Sequence, residues 1–226
     1  MVSGQGTADC RKGILGVHSK DRSLRLGVLL SGRGSNFLAI AESIRAGRLK
    51  GVEIAVVVSN VAEAPGIAAA QQLGLPHAVL VSKGRKRAEH DADVIACLRA
   101  QRVDLVCLAG YMRLLSPECI AAFPNRILNI HPSLLPAFPG LEAQGQAFQY
   151  GVKVAGCTVH FVDEHLDHGV IVLQRAIPVL ETDDAHSLAE RILIEEHIAY
   201  TEAIARVAGG EYEIRGRQFV KRDSRE

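Results

Sequence analysis

A run of eight residues, VEIAVVVS (52–59), limits the fold of this chain more than any other feature. Its β-branched residues follow one another without polar alternation, which is typical of a strand covered on both faces in a parallel sheet. Similar apolar runs occur at 24–30, 103–110 and 126–130, and segments with helical spacing separate them. This alternation predicts an α/β fold with a doubly wound, mainly parallel sheet.

The helices and the second half of the chain complete this outline. Helices are predicted at 35–47, 65–73, 87–101, 143–150 and 184–207. A short strand is predicted at 77–81, and two longer strands at 152–162 and 169–179 are expected to pair antiparallel. The segment EYEIRGRQFV resembles a terminal hairpin with a turn at Arg215-Gly216. The sheet is therefore predicted to be parallel in its first half and mixed in its second.

The length and the charge balance favour one large globular domain with small-molecule partners. The chain has 226 residues, of which 48% are hydrophobic and 23% charged, and its net charge is +1. This balance favours neither nucleic acid nor a membrane surface as a partner. We expect residues 1–23 to be a disordered leader and 24–226 to form the domain, with halves at about 24–125 and 126–226.

Five cysteines indicate a reducing compartment. They are odd in number and show no CxxC spacing, so we expect reduced core residues in a cytoplasmic protein. The chain contains no apolar stretch of 18 residues, so no transmembrane helix is predicted.

The stretch LLSGRGSNF (29–37) follows the first predicted strand and opens a helix. Gly32 and Gly34 allow a close backbone approach to an anion at the helix N-terminus, and Ser35 or Asn36 can cap the helix. Phe37 stands where a dinucleotide fingerprint needs its third glycine. A mononucleotide or sugar-phosphate site is therefore predicted, and an ordinary capped glycine turn is the alternative.

A second stretch, LNIHPSLLPAFPG (128–140), pairs an amide with an imidazole. Asn129 and His131 are two residues apart, so on a strand they point to the same face. Three prolines then make the following segment a constrained loop; they are Pro132, Pro136 and Pro139. Both side chains can donate to an oxygen that becomes negative in a transition state. The alternative is a histidine that bonds only to the backbone.

Polar residues crowd the third stretch, VHFVDEHLDHGVIV, between two predicted strands; they are His160, Asp163, Glu164, His165, Asp167 and His168. Asp167, just before Gly169, is the best candidate to pair with His131 and move protons. We expect no metal at His165 and His168, because the loop lacks a rigid frame and a helical HExxH pattern. The absence of a serine elbow or a convincing catalytic cysteine favours direct group transfer between two bound substrates.

These stretches together resemble the glycinamide ribonucleotide formyltransferase family. The segments SGRGSN, LAGYMRLLSP, ILNIHPSLLPAFPG and VHFVDEHLDHG are similar to its successive conserved blocks, in order and with fitting spacing. The resemblance runs from Leu24 to the C-terminal hairpin. HPSLLP alone is shared with the wider formyltransferase and formyl-hydrolase superfamily.

The resemblance implies a folate-dependent step of purine synthesis. A formyl group would pass from 10-formyltetrahydrofolate, the co-substrate, to the amine of glycinamide ribonucleotide, with no metal. The family's catalytic residues fall on Asn129, His131 and Asp167. The oxyanion would be held by Asn129 and protonated His131, while Asp167 keeps His131 charged and assists proton transfer. The partners would be small molecules, with no nucleic acid and no membrane, and the protein a monomer or homodimer.

The resemblance also implies the residues that bind each substrate. Those for the ribonucleotide are Gly34, Ser35, Asn36 and Glu196. Those for the folate are Arg87, Met112, Arg113, Leu114 and Leu115, together with Asn129, Asp163 and Asp167. The first half of the domain would bind phosphate, and the second would hold the catalytic residues and folate. His168 departs from the Gly or Thr found in many relatives.

Three other functions are compatible with parts of this pattern. A 10-formyltetrahydrofolate hydrolase uses the same catalytic residues with water as acceptor, but usually carries an N-terminal regulatory domain that 23 residues cannot supply. Methionyl-tRNA formyltransferase needs a C-terminal barrel and a basic surface. A non-catalytic folate- or nucleotide-binding protein would be expected to lack at least one of the three catalytic residues.

Overall fold

The computed structural model describes residues 22–223, as nine strands and six helices. The strands are β1 (Leu24–Leu30), β2 (Val52–Ser59), β3 (His77–Val79), β4 (Leu105–Leu108), β5 (Ile127–His131), β6 (Val154–Phe161), β7 (Ile171–Pro178), β8 (Tyr212–Arg215) and β9 (Gln218–Lys221). The helices are α1 (Ser35–Arg45), α2 (Pro65–Gln72), α3 (Arg87–Ala100), α4 (Pro117–Ala122), α5 (Ala143–Tyr150) and α6 (Ala185–Ala208). The predicted leader, apart from its last two residues, lies outside the described residues.

A seven-stranded sheet in the order β3-β2-β1-β4-β5-β6-β7 forms the centre, and β8 and β9 form a separate antiparallel hairpin. Strands β1 to β5 pair parallel. The β5–β6 and β6–β7 pairs are antiparallel. The predicted doubly wound, mainly parallel fold with antiparallel strands in the second half is therefore confirmed.

Two local predictions differ from the structure. The turn of the terminal hairpin lies at Gly216–Arg217, one residue later than predicted, because Arg215 still pairs with Gln218. Helix α4 was not predicted, since its six residues are too few to show a periodic pattern. Ser116 caps it by accepting from the amide of Cys119, and Pro117 stands at its first position; these two residues are the signal that marks such a start.

The sheet is covered on both faces, as the unbroken apolar strands require. Leu26 and Val28 of β1 belong to the core layer that α1 and α6 close, and Leu29 belongs to the layer beneath α3 and α4. Gly27 lets α3 approach closely, because a Cβ there would lie 2.5 Å from Leu98 Cδ2. A single sheet thus separates two cores, and its strand ends remain at the edges.

Tyr200 fixes α6 beneath the carboxyl edge of the sheet. Its fully buried hydroxyl lies 3.1 Å from Leu108 O at the end of β4 and 2.9 Å from Leu128 O in β5. Glu196 lies one turn earlier on the same face of α6, because residues four apart are neighbours on a helix. The Tyr200 contact therefore brings Glu196 to the strand ends.

The cysteines of the described region match the predicted reduced state. Cys97, Cys107, Cys119 and Cys157 are free thiols. Three of them are buried, and burial raises the pKa of Cys107, Cys119 and Cys157 to about 12 each. Cys10 lies outside the described residues. No helix within residues 22–223 has both the length and the apolar character needed to cross a membrane.

Candidate active site

The candidate site lies where parallel strands end together. Leu29 of β1 stands level with Leu108 of β4, which stands level with Asn129 of β5. The glycine loop after β1, the loop after β4 and the end of β5 therefore share one edge of the sheet. This is where open α/β sheets bind ligands.

Ser31 links the ends of β1, β2 and β4. Its amide donates to Gly110 O at 3.0 Å, and its hydroxyl oxygen accepts from the amide of Met112 at 2.8 Å. The hydroxyl donates to Asn60 Oδ1, which follows β2, at 2.5 Å. One short side chain thus connects the glycine loop to the predicted folate loop, a role that the sequence analysis did not detect.

The glycine loop opens α1 without a side-chain cap. Gly34 is the N-cap residue and has φ 69° and ψ 37°, a left-handed conformation that favours glycine. A Cβ at this position would also approach Leu30 Cδ2 to 3.0 Å. The prediction that Ser35 or Asn36 caps α1 is wrong, because Asn36 turns its side chain toward α6. The first amides of α1 are therefore not used by a cap and can bind an anion.

Asn36 and Glu196 form a buried pair between α1 and α6. The Asn36 amide donates to Glu196 Oε2 at 2.7 Å. Burial raises the pKa of Glu196 to about 7, and the hydrogen bond from Asn36 opposes this shift. Asn36 Oδ1 is buried and has no hydrogen-bond partner among residues 22–223. An acceptor without a donor beside a titrating carboxyl suits a ligand with adjacent hydroxyl groups.

The structure brings Asn129, His131 and Asp167 together. Asn129 and His131 lie two residues apart on β5, and the loop after β6 returns to place Asp167 beside them. His131 Nδ1 lies 3.4 Å from Asp167 Oδ2, and the two side chains are 6% and 8% exposed. Asp167 has φ 50°, and its carboxylate accepts from the amide of Gly140 at 2.8 Å. This carboxylate is thus held over the end of β5.

The proline-rich loop fixes the orientation of His131. His131 Nε2 lies 2.9 Å from Phe138 O, and a carbonyl can only accept, so Nε2 carries a hydrogen. Nδ1 is then the nitrogen that faces Asp167. Ser133 holds the loop by donating to Ala137 O at 2.6 Å. The stiff segment after His131 therefore presents a backbone carbonyl to the imidazole.

His160 is a fourth polar group of the cluster, and sequence reasoning did not single it out. It stands opposite Asn129 in the β5–β6 pair. Its Nδ1 donates to Phe161 O at 2.8 Å, and its Nε2 lies 3.2 Å from the Asn129 amide nitrogen. Nε2 also lies 3.7 Å from Asp167 Oδ1. Only the strand register, which the sequence does not reveal, identifies this neighbour.

Electrostatics keep Asp167 charged. Burial acts to raise its pKa, but the contacts with His160, the amide of Gly140 and His131 together outweigh burial and lower it. Asp167 is therefore a carboxylate at neutral pH, beside two imidazoles.

The residues predicted for folate differ in how far they are exposed. Met112 and Leu114 are exposed, at 70% and 54%, whereas Leu115 is buried among the core residues. The Arg113 guanidinium donates to Arg85 O at 3.2 Å, which joins this loop to the segment before α3. Arg87, the first residue of α3, is exposed. Met112 and Leu114 thus offer exposed apolar side chains and Arg87 offers a cation, whereas Leu115 can offer only backbone atoms.

The outer side of the Asp167 loop carries three potential metal ligands. Ligand atoms of Asp163, His165 and His168 lie within 4.8 Å of one another. His168 Nδ1 already contacts Asp163 Oδ2 at 2.9 Å, and the guanidinium of Arg217 lies against the same imidazole. That cation disfavours a second one at this position.

The fold and the site define a member of the formyl transferase family, as the sequence resemblance predicted. The chain belongs to this family, and the family model, "Formyl transferase", matches residues 24–204. More particularly, the chain is 39% identical over 184 residues to phosphoribosylglycinamide formyltransferase of Escherichia coli (strain K12), covering 81% of this chain and 86% of that protein. The crystal structure of glycinamide ribonucleotide transformylase 1 from Symbiobacterium toebii matches with a TM-score of 0.87 and 51% identity, covering 90% of this chain and 96% of that one.

Another relative is much longer than this chain. The trifunctional purine biosynthetic protein adenosine-3 of Drosophila melanogaster is 44% identical over 192 residues, which are 84% of this chain but only 14% of that protein. The chain thus corresponds to a small part of it.

Replacing Glu196 with Gln is expected to stabilise the protein at alkaline pH. The folded state raises the carboxyl pKa from 4.5 to about 7. The neutral carboxyl therefore contributes stability that is complete below pH 4.5 and is lost as the pH rises through 7. The free energy of unfolding lost in this way is about 3 kcal/mol. The glutamine has no such dependence, so its advantage should grow between pH 5 and pH 8, as measured by urea unfolding.

Glu190→Gln, a change at an exposed position of the same helix, is the matched control and should show no such pH-dependent gain. Identical pH dependence in wild type and Glu196→Gln would contradict the assignment of a buried, titrating carboxyl.

Proposed function

We propose that this protein transfers the formyl group of 10-formyltetrahydrofolate to the amine of 5'-phosphoribosylglycinamide, a step of purine synthesis. The observation that carries the proposal is the partly buried Asn129–His131–Asp167 cluster, at the same sheet edge as the uncapped N-terminus of α1. The names of the relatives support the substrate class. No metal is part of the proposal.

The ribonucleotide would lie across the ends of α1 and α6. Gly34, Ser35 and the first amides of α1 suit the phosphate, since they combine free N–H groups with the positive end of a helix. Asn36 Oδ1 and the Glu196 carboxylate suit the two hydroxyls of a ribose. The unsatisfied Asn36 Oδ1 is the observation that fits this ligand.

The folate would lie on the loop after β4 and against the Asp167 loop. Exposed Met112 and Leu114 provide apolar contact for a flat ring, while Arg113, Leu115 and residues 163–167 offer backbone groups to its polar edge. Arg87 would pair with the glutamate tail. When bound, 10-formyltetrahydrofolate supplies an electrophilic formyl carbon next to Asn129.

Asn129 and His131 would stabilise the formyl oxygen as the amine attacks and that oxygen becomes negative. Both ring nitrogens of His131 face protein atoms, so one of these contacts must be given up before an N–H of the ring can donate to the formyl oxygen. The contact of Nδ1 with Asp167, at 3.4 Å, is longer than that of Nε2 with Phe138 O, and we assign the donation to Nδ1. The new C–N bond forms at the amine, and the bond from the formyl carbon to the folate nitrogen breaks.

Asp167 would assist the transfer of the proton from the attacking amine to the folate nitrogen. Its negative charge keeps a proton on His131, and through water it accepts the proton that the attacking amine loses. The same proton passes to the departing folate nitrogen, so the step is balanced without a further reactant. Proton transfer by a positioned group accelerates such steps by about 10²–10⁴-fold.

The deciding experiment follows deformylation of 10-formyltetrahydrofolate by absorbance, with and without 5'-phosphoribosylglycinamide. Turnover that requires the amine, with formylated product shown by mass spectrometry, is the expected result. Equal turnover without the amine would identify a hydrolase. Folate binding without turnover under either condition would identify a binding protein.

A further inference from the structure

The loop between β6 and β7 contains Asp167, and Gly169, near the end of this loop, packs closely on β6. A Cβ on Gly169 would lie 1.8 Å from Phe161 O, so the end of the loop packs directly on the strand that begins it. His168 stands between Asp167 and Gly169 and is exposed, at 53% of its side chain. The side of the loop opposite the cluster therefore depends on contacts made by His168.

Arg217, in the turn of the β8–β9 hairpin, supplies those contacts. Its Nη2 donates to His168 O at 2.6 Å, and its Nη1 lies 3.1 Å from His168 Nε2. That Nη1 also lies 3.3 Å from His168 Nδ1, so the guanidinium lies over the face of the imidazole. His168 Nδ1 donates to Asp163 Oδ2 at 2.9 Å. Arg217 and Asp163 thus both hold His168, from the hairpin and from within the loop.

The hairpin is itself attached to the strand that leads into this loop. The ring of Phe219 meets the ring of Phe161 edge-on, with centroids 5.9 Å apart. Phe219 also stacks on Tyr212 across the hairpin at 4.9 Å. The hairpin that carries Arg217 is therefore packed against β6, and the hydrogen bond from Arg217 to His168 O fixes the loop relative to the sheet.

We propose that Arg217 is a positioning residue for the reaction and that it keeps Asp167 in place by holding the carbonyl of His168. The carbonyl belongs to the residue next to Asp167, so a shift of that peptide moves the carboxylate relative to His131. The proposal rests on the proposed function for its effect on rate, but its effect on the loop does not require any substrate.

The test compares Arg217→Ala and Arg217→Lys with Arg215→Ala. Arg215 is the matched control, because it lies in the same hairpin and pairs with Glu213 and Asp223 rather than with the loop. Two quantities are measured: formyl-transfer kinetics, and hydrogen exchange of the amides of residues 162–169 in the protein alone. Arg217→Ala should lower kcat about fivefold, the effect expected for loss of one hydrogen bond of ordinary strength, with KM for the ribonucleotide unchanged.

Arg217→Ala should also speed exchange in 162–169. Arg217→Lys, which can still donate to the carbonyl, should recover most of both properties, and Arg215→Ala should match wild type. Unchanged exchange in Arg217→Ala, or equal losses in Arg215→Ala, would overturn the proposal. Failure of the wild-type protein to transfer formyl would instead reject the proposed function, and the exchange measurement would still decide the role of Arg217 in the loop.

Discussion

Asp167→Asn is expected to lower kcat by about 10³-fold, the range for loss of a positioned proton-transfer group, while KM for both substrates changes by less than about twofold. The amide has the same size and can still accept from the amide of Gly140. It lacks the negative charge that faces His131 at 3.4 Å and His160 at 3.7 Å. The loss therefore falls on the proton transfer and on the charge of the imidazole.

The kinetic pattern separates this role from substrate binding. A group that acts only in the transition state lowers kcat and kcat/KM equally when it is removed. Glu181→Gln, a change at an exposed position after β7, is the control and should behave like wild type. A raised KM with unchanged kcat in Asp167→Asn would show that Asp167 binds substrate and does not take part in the chemistry.

Gly169→Ala is expected to have the second large effect. The new methyl group would meet Phe161 O at 1.8 Å, and backbone on both sides leaves no flexible side chain to move away. The loop must shift by about 1 Å, which is expected to lower kcat about 100-fold. The strain should reduce the free energy of unfolding by about 2 kcal/mol, as measured by urea unfolding.

Gly145→Ala provides the control for this substitution. Gly145 lies within α5, where a Cβ would have no heavy atom within 4 Å. Alanine there should leave kcat unchanged and raise the unfolding free energy by up to about 1 kcal/mol, because glycine is the weaker helix former. Wild-type kinetics in Gly169→Ala would show that the loop does not need its close contact with β6.

Two kinds of information in the sequence located the catalytic candidates: the spacing of side chains along a strand, and the resemblance of four segments to conserved blocks of the family. Asn129 and His131 lie on one face of β5 because strand side chains alternate, and Asp167 lies next to them. The capping of α1 was predicted wrongly, because Ser35 and Asn36 suit a cap locally but Asn36 has a buried partner 160 residues away. A local rule cannot anticipate a competing contact from a distant helix.

The sequence by itself determined the alternation of buried strands and helices, the glycine turn and the two donors ahead of the prolines, because hydrophobic periodicity and backbone restrictions are local properties. The tertiary structure alone decided that His160 faces Asn129, that Phe138 O orients His131 and that Arg217 reaches the Asp167 loop. These contacts depend on strand register and on the packing of segments far apart in the chain. Such packing is fixed only when the whole core forms.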